Sequence, residues 1–411
     1  MAEFSIIGAG ALICSGKCSY CSATSVQECD YEGKNIKKED FGKVVWDWDG
    51  VKKVFDTNPI IQEAIKNGNI LTLNWWAAEP LDFYQEAEKY WSWVEKTYPT
   101  LKFVTFISTN GIPLARKRVV EWVYKMHERW GLTLQLSHDG VGQRVRTRSF
   151  DPLYSPSTRD VIVKLARDGI LTMINATLNQ FNCSPMANFA YFQKWRYDNH
   201  LEFTNLNLIK LNHNNDAEYT GPFRLRGENL DRYMHEMEIL WMNAYIAPEN
   251  DPYWKPYKGY FTNQMTRWEL KNGSEGGCEA FSKGHKDYTW CCNTKGEYVF
   301  CQLCSDPETN PNPNCEQSEA CKDCEFRDYN DCHPCPDMVQ SKECHYKKAY
   351  IRTVLRMKDF CNIVDNQKNI IARLEQELNQ YKNRNNNQSC SCQRPGMQES
   401  GGGRPLPTKY R

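Results

Sequence analysis

Three cysteines fall within eight residues near the start of the chain, spaced Cys14-x3-Cys18-x2-Cys21, with Tyr20 directly before the last. Thiolates bind soft and borderline metals. A four-iron cubane usually takes four of them, so three leave one iron open. An open iron can bind a substrate or cofactor, as the open position of a catalytic zinc does. The alternative is a zinc knuckle completed by Cys29. That fourth ligand lies eight residues on, whereas structural zinc more often uses paired C-x2-C knuckles.

The chain has 19 cysteines, and they are unevenly placed. Four open the chain, only Cys183 lies between Cys29 and Cys278, and eleven run from Cys278 to Cys344. An odd total fits complete disulfide pairing poorly, and tight C-x2-C spacings suit metal. The apolar patch before Cys14 has no basic segment ahead of it, and a cleaved signal would remove the motif. A cytoplasmic, reducing location is therefore expected. There is no apolar run of membrane-spanning length, so no membrane association is expected. Lysine plus arginine (51) equals aspartate plus glutamate (51), and no basic block stands out, which argues against nucleic acid as a partner. The 13 tryptophans and 22 tyrosines therefore read as core and pocket material.

What must hold the first motif in place is an alternation of strands and helices. Apolar runs predict strands at FSIIGAG, NILTLNWW, KFVTFIST, LTLQLSH, LTMINATLN and FTNLNLIKL. Amphipathic stretches such as DFYQEAEKYWSWVEKTY and RKRVVEWVYKMHERW predict helices between them. Strand then helix, repeated about six times, predicts an α/β fold with a parallel sheet, a partial (β/α)6 TIM-like barrel. Sites in such barrels lie at the C-terminal ends of the strands, where Cys14 directly follows the first. The expected organisation is a barrel over 1–230, a helical bridge over 231–275, a cysteine-rich domain over 276–350, a helix over 351–383 and a disordered tail over 384–411. DYTWCCNTKGEYVFC reads as a β-hairpin turning near Lys295-Gly296. In the C-terminal helix Val364, Ile371, Leu374, Leu378 and Tyr381 fall near heptad positions; shortness and the interruption at Gln367 favour a docking helix over a coiled coil.

The cysteine motif resembles the signature of the radical S-adenosylmethionine (SAM) superfamily. Further segments follow in that family's order. WWAAEPL (Trp75 to Leu81) is similar to its GGEP segment, ISTNG (Ile107 to Gly111) to the end of its third strand, and LSHDG (Leu136 to Gly140) to its S-x-D-G segment. The resemblance covers about residues 5–230. It implies that Cys14, Cys18 and Cys21 hold a [4Fe-4S] cluster whose open iron chelates the amino and carboxylate groups of SAM. One electron then cleaves SAM to methionine and a 5′-deoxyadenosyl radical, which takes a hydrogen atom from the substrate. It further implies SAM contacts from Tyr20, from Ala77, Ala78 and Glu79 near the amino group, and from Ser108, Asn110, Ser137 and Asp139 near the ribose. One of Arg144, Arg146 and Arg148 would face the carboxylate. The family's two glycines are Ala77 and Ala78 here, which adds a methyl at each.

The later cysteines resemble the SPASM extension of radical SAM maturases: Cys278, then Gly296-x4-Cys301, then Cys321-x2-Cys324-x7-Cys332-x2-Cys335, then Cys344. The first gap is longer than in the family and the inner spacings differ. The resemblance implies two auxiliary clusters. Cys321, Cys324, Cys332 and Cys344 would bind one; Cys278, Cys301 and Cys335 would bind the other, with Cys291, Cys292, Cys304 and His285 as candidates for its fourth ligand. Structural zinc is the alternative there. Such proteins mostly modify peptides or proteins and take electrons from a flavodoxin or ferredoxin. The sulfatase-maturating sub-family carries aspartate directly after the second hairpin cysteine; Gln302 stands there, which argues against that substrate. No separate leader-peptide-binding domain is expected, because Cys14 lies too near the start. A small-molecule or nucleotide substrate, and a non-catalytic zinc-binding interaction protein, are the competing readings.

Overall fold

The computed structural model of the chain describes residues 2–8, 14–16, 18–20, 44–76, 78–147, 150–201, 205–210, 223, 225–254, 257–258, 291–298, 325 and 344–388. It divides into two compact units, Met1–Lys358 and Asp359–Arg411. Within the first unit the expected alternation is present. Strand β1 (Ala2–Ile7) is followed by helices α1 (Trp48–Thr57) and α2 (Pro59–Asn67). Then come β2 (Ile70–Trp76), α3 (Tyr84–Thr97), β3 (Lys102–Thr109), α4 (Lys117–Trp130) and β4 (Thr133–Ser137). The short α5 (Gln143–Thr147) and α6 (Arg159–Arg167) lead to β5 (Leu171–Leu178), α7 (Pro185–Asp198), β6 (Asn205–Lys210) and α8 (Glu228–Ile246). Strand β7 (Cys291–Asn293) and helix α9 (Cys344–Gln388) complete the described elements. Helix α9 begins seven residues before the expected 351 and runs past the expected 383. Among the described residues no helix is long and apolar enough to cross a membrane.

The sheet order is β6-β5-β4-β3-β2-β1-β7, every pairing parallel. Six of the strands form the expected partial barrel. The seventh is an addition: the hairpin read at Cys291 to Tyr298 is there, closed by an antiparallel bridge between Cys292 and Tyr298. Its first arm also extends the sheet beside β1.

Side chains alternate along a strand, so the parallel register sorts them into two faces. Phe4, Ile6, Leu71, Leu73, Trp75, Ile107, Leu134, Leu136 and Ile174 fall on one face, all buried. That face meets the helices: Phe4 packs edge-on against Phe55 of α1 at 5.6 Å, and Trp75 lies 6.5 Å from Tyr90 of α3. The opposite face carries Ser5, Asn74, Ser108, Gln135, Ser137 and Asn175. A parallel sheet covered on both sides is ordinarily apolar on both. Here the inner face mixes these polar side chains with Ile7, Trp76, Phe106 and Met173, and the polar groups are what a site could use.

The glycine of the Gly296-x4-Cys301 element has a clear task. Gly296 has φ +74°, and a methyl there would lie 2.0 Å from the backbone carbon of Gly50. Gly50, in the first turn of α1, meets the Lys295 carbonyl oxygen equally closely, at 2.2 Å from any added methyl. Asn293 closes the turn by accepting from the amides of Lys295 and Glu297. Gly296→Ala is therefore expected to destabilise the first unit by at least about 2 kcal/mol, from left-handed strain and forced backbone separation. Gly50→Ala should cost a similar amount, and the double variant less than the sum. Denaturant unfolding of the three variants reads this directly.

Cys291 and Cys292, candidates above for a fourth cluster ligand, are fully buried in β7. Cys291 packs with Ile7 and Trp76. Burial pushes the Cys292 thiol up.

Candidate functional site

Each of β2, β3 and β4 ends in a tight turn, and the motif residues make those turns. After β2, Glu79 caps the 3-10 turn Pro80–Phe83, its carboxylate accepting from the Leu81 amide at 3.1 Å. After β3, the side-chain oxygen of Asn110 accepts from the Ile112 amide at 2.9 Å, and Gly111 takes φ +79°. A methyl on Gly111 would meet Leu136 Cδ1 at 2.8 Å. After β4, Gly140 takes φ +57° against Asn188 of α7. Sharp turns of this kind aim side chains across the strand ends rather than along them.

The loop after β1 lies across these turns. The Ser15 amide donates to Asp82 at 2.9 Å, and Arg116 grips the same carboxylate at 2.7 Å. The Asn110 side-chain amide donates to the Cys14 sulfur at 3.7 Å and to the Ser15 hydroxyl at 3.4 Å. A methyl on Gly16 would come within 2.9 Å of that amide nitrogen, so the loop passes close under the Asn110 side chain. Cys14 and Cys18 are both half-buried. Tyr20 is buried and its hydroxyl donates to the Asp139 carboxylate. Arg146 completes the cluster, donating through Nη1 to Asp139 at 2.8 Å and to the Tyr20 oxygen at 3.1 Å. Burial pushes the Tyr20 phenol well above its ordinary range despite the Arg146 charge, so it keeps its proton for Asp139. Arg146 interacts electrostatically with Cys18 as well as with Tyr20 and Asp139. Its Nε is buried and has no partner among the described residues.

Of the residues singled out in the sequence, Cys14, Cys18, Tyr20, Glu79, Asn110 and Asp139 are thus brought to one end of the sheet. Ser108 and Ser137 stand on the inner face with hydroxyls 3.2 Å apart, and Gln135 donates to Ser108 at 2.9 Å. Ala78 follows β2 at the same end. Cys21, Cys29, Ala77 and Arg148 lie outside the described residues, as do Cys278, Cys301, Cys321, Cys324, Cys332 and Cys335, the candidates His285 and Cys304, and Gln302. Cys344 starts α9. The tail beyond 388 is also outside them. Among the three arginines, Arg144 is exposed and Arg146 faces the site.

Glu79 does something the motif did not suggest. Both of its carboxylate oxygens are engaged: one by Thr109 Oγ1 at 2.7 Å and the Leu81 amide, the other by the Asn110 amide at 2.7 Å. It braces the end of β2 to the end of β3. Burial pushes its carboxyl up to about 7, although hydrogen bonds from Asn110, Thr109 and Leu81 pull it down. A carboxyl raised in the native state favours folding below its unfolded value near 4.5 and loses that contribution as pH rises through 7. Unfolding free energies of wild type and Glu79→Gln, compared across pH, should therefore diverge. The difference should move against the wild type by about 3 kcal/mol between pH 4.5 and 8. A difference flat with pH would mean that Glu79 titrates in the ordinary carboxylate range.

A further clasp escaped the sequence reading. His138 is fully buried; its Nδ1 accepts from the Gly140 amide at 2.9 Å, so Nε2 carries the proton donated to Asp151 at 2.8 Å. The Tyr191 hydroxyl donates to the other oxygen of Asp151 at 2.8 Å. Burial works against the Asp151 charge, but these hydrogen bonds hold its carboxyl below the usual range. The clasp fixes the turn that presents Asp139. A histidine inside an S-x-D-G segment was the available signal; its partner 13 residues on was not marked by any spacing.

No family model matches the chain, and no curated protein matches its sequence. Among solved structures it is similar to native anSMEcpe with bound AdoMet, at 14% identity and a TM-score of 0.56, over 88% of this chain and 100% of that one. It is equally similar to native anSMEcpe with bound AdoMet and the Cp18Cys peptide, at 14% identity and a TM-score of 0.56, over 88% of this chain and 99% of that one. A third, with AdoMet and the Kp18Cys peptide, matches at 13% identity, again with a TM-score of 0.56. The partial parallel barrel of this chain, with its half-buried cysteines at the end of the first strand, therefore has the fold of anSMEcpe.

Proposed function

We propose that the chain is a radical SAM enzyme: it binds a [4Fe-4S] cluster through Cys14, Cys18 and Cys21, cleaves SAM reductively, and abstracts a hydrogen atom from a peptide or protein. The observation that carries this is the convergence of the Cys14–Tyr20 loop with the turns after β2, β3 and β4 at one end of a parallel sheet. In the similar structures, AdoMet is bound to a protein of this fold, and in two of them a peptide as well.

The residues suit both groups. Cys14 and Cys18 are half-buried thiols, the first beside the Asn110 amide donor and the second in the field of the Arg146 guanidinium. The buried Arg146 Nε offers a donor to the SAM carboxylate, while Asp139 fixes the guanidinium. With the backbone of Ala77 and Ala78 near the amino group, and Ser108, Asn110, Ser137 and Asp139 around the ribose, the strand ends would orient SAM over the inner face. When bound, cluster and SAM together supply the radical chemistry; the chain binds, orients and excludes water. Glu79, which the resemblance also puts near the amino group, holds two of the turns in register there.

The inner face would receive the substrate. It presents the amides and hydroxyls of Ser5, Asn74, Ser108, Gln135 and Ser137 beside the Glu3 carboxylate, which accepts from the Asn74 side-chain amide at 3.5 Å, and the Asn74 carbonyl oxygen is buried with no partner among the described residues. Such a face suits the backbone and polar side chains of a peptide. Gln302 directs the proposal to a peptide other than a sulfatase. Two auxiliary clusters at Cys278, Cys301, Cys321, Cys324, Cys332, Cys335 and Cys344 are part of the proposal, as is a flavodoxin- or ferredoxin-type electron donor.

The test is anaerobic SAM cleavage. Protein reconstituted with iron and sulfide is given SAM and dithionite, and 5′-deoxyadenosine is measured by mass spectrometry beside a Cys14/Cys18/Cys21 triple-alanine variant. Product from the wild type alone is expected. Product from neither, with zinc rather than iron in the native preparation, would transfer the assignment to a metal-stapled interaction protein.

A further inference from the structure

We infer that the second unit is a dimerisation element: the portion of α9 beyond 359 pairs with the same helix of a second copy as a parallel, in-register coiled coil. The sequence alone favoured a docking helix, because Gln367 breaks the apolar series. The structure adds that the series is uncovered. Ile371, Leu374, Leu378 and Tyr381 are between 51 and 64% exposed, with Ile363 and Ile370 beside them also exposed. A lone helix in water has marginal stability, and a continuous stripe of large apolar side chains along it calls for a covering surface.

The pattern says which surface. Val364, Gln367, Ile371, Leu374, Leu378 and Tyr381 alternate in steps of three and four, the a and d positions of consecutive heptads. The far side carries Asn366, Asn369, Gln376 and Asn383, so a single seam is apolar. A β-branched residue at a in the first two heptads, with leucine at the central d, suits a two-stranded parallel coil. Charge agrees with a second copy: Glu377 occupies g and Lys382 the e position of the following heptad, which face each other across a parallel pair, twice by symmetry. No g position sets a like charge against its e partner within this span. Gln367 becomes informative rather than disruptive. In register, it meets the partner's own amide; in an antiparallel pair it would face an apolar a residue and lose a hydrogen-bond partner.

The full-length chain tests this by light scattering and sedimentation at about 10 µM, with circular dichroism confirming helicity of each variant. A dimer is expected for the wild type and a monomer for Leu374→Glu, a side chain that is half-exposed in the single chain. Glu377→Lys and Lys382→Glu should each weaken the dimer by about tenfold through mutual repulsion, and the double variant should recover to within about threefold of wild type. A monomeric wild type would overturn the inference and hand the seam to a different protein. A dimer untouched by Leu374→Glu would place the contact elsewhere. Failure of the double variant to recover would overturn the parallel pairing.

Discussion

Asp139→Ala is expected to destabilise the first unit by about 3–5 kcal/mol, the largest single effect among the strand-end residues. The reason is what it leaves behind. Asp139 is fully buried and takes hydrogen bonds from Tyr20, from Arg146 at 2.8 Å and from the Thr177 amide at 3.3 Å. Removing it leaves a guanidinium only 14% exposed without its counter-charge. Breaking one side of a buried ion pair costs far more than the pair is worth, because the remaining charge stays desolvated. Arg146→Ala should be milder, since Tyr20 and the Thr177 amide still serve the carboxylate. The double variant should recover about 2 kcal/mol relative to the sum of the singles. Denaturant titration of wild type, the two singles and the double closes the cycle; strict additivity would show that the three groups do not act as a unit. The same cycle bears on function, because the Tyr20–Asp139 contact ties a loop after β1 to the end of β4 across 119 residues. SAM cleavage by Asp139→Asn, which keeps the shape and removes the charge, should fall more steeply than its stability does.

Cys18→Ala should have the opposite profile: nearly silent for folding and decisive for chemistry. Cys18 is half-buried in a loop, so losing its sulfur should cost less than about 1 kcal/mol. On the proposed function, only two thiolates would remain for the cluster, and deoxyadenosine formation should drop at least about a hundredfold. Iron and sulfide content and near-ultraviolet absorbance would report the loss before any activity is measured. A Cys18→Ala protein that still cleaves SAM at the wild-type rate would remove Cys18 from the ligand set and with it the three-cysteine assignment.

The strands could be read because the chain alternates under a strong constraint. NILTLNWW places Leu71, Leu73 and Trp75 on one face and Thr72, Asn74 and Trp76 on the other, and the glycine-bearing turns at Asn110-Gly111 and Asp139-Gly140 mark where strands must end. The cysteine spacing and the order of the strand-end segments likewise pointed to the site, since those are properties of consecutive residues. The hairpin turn at Lys295-Gly296 was legible for the same reason.

What the sequence by itself determined, then, is everything that depends on neighbours along the chain: strand and helix periods, turn positions, the three-thiol spacing, and so the partial barrel with its motif after β1. Tertiary structure alone decided which side chains meet. It chose Arg146 over Arg144, turned Glu79 into a brace between β2 and β3, joined His138 to Asp151 and Tyr191, and laid β7 against β1. None of these carries a periodic signal. Each arises where a sharp turn aims a polar group at a distant segment, and burial there makes a hydrogen bond worth forming, because the same group left unpaired in the interior would cost more than the contact contributes.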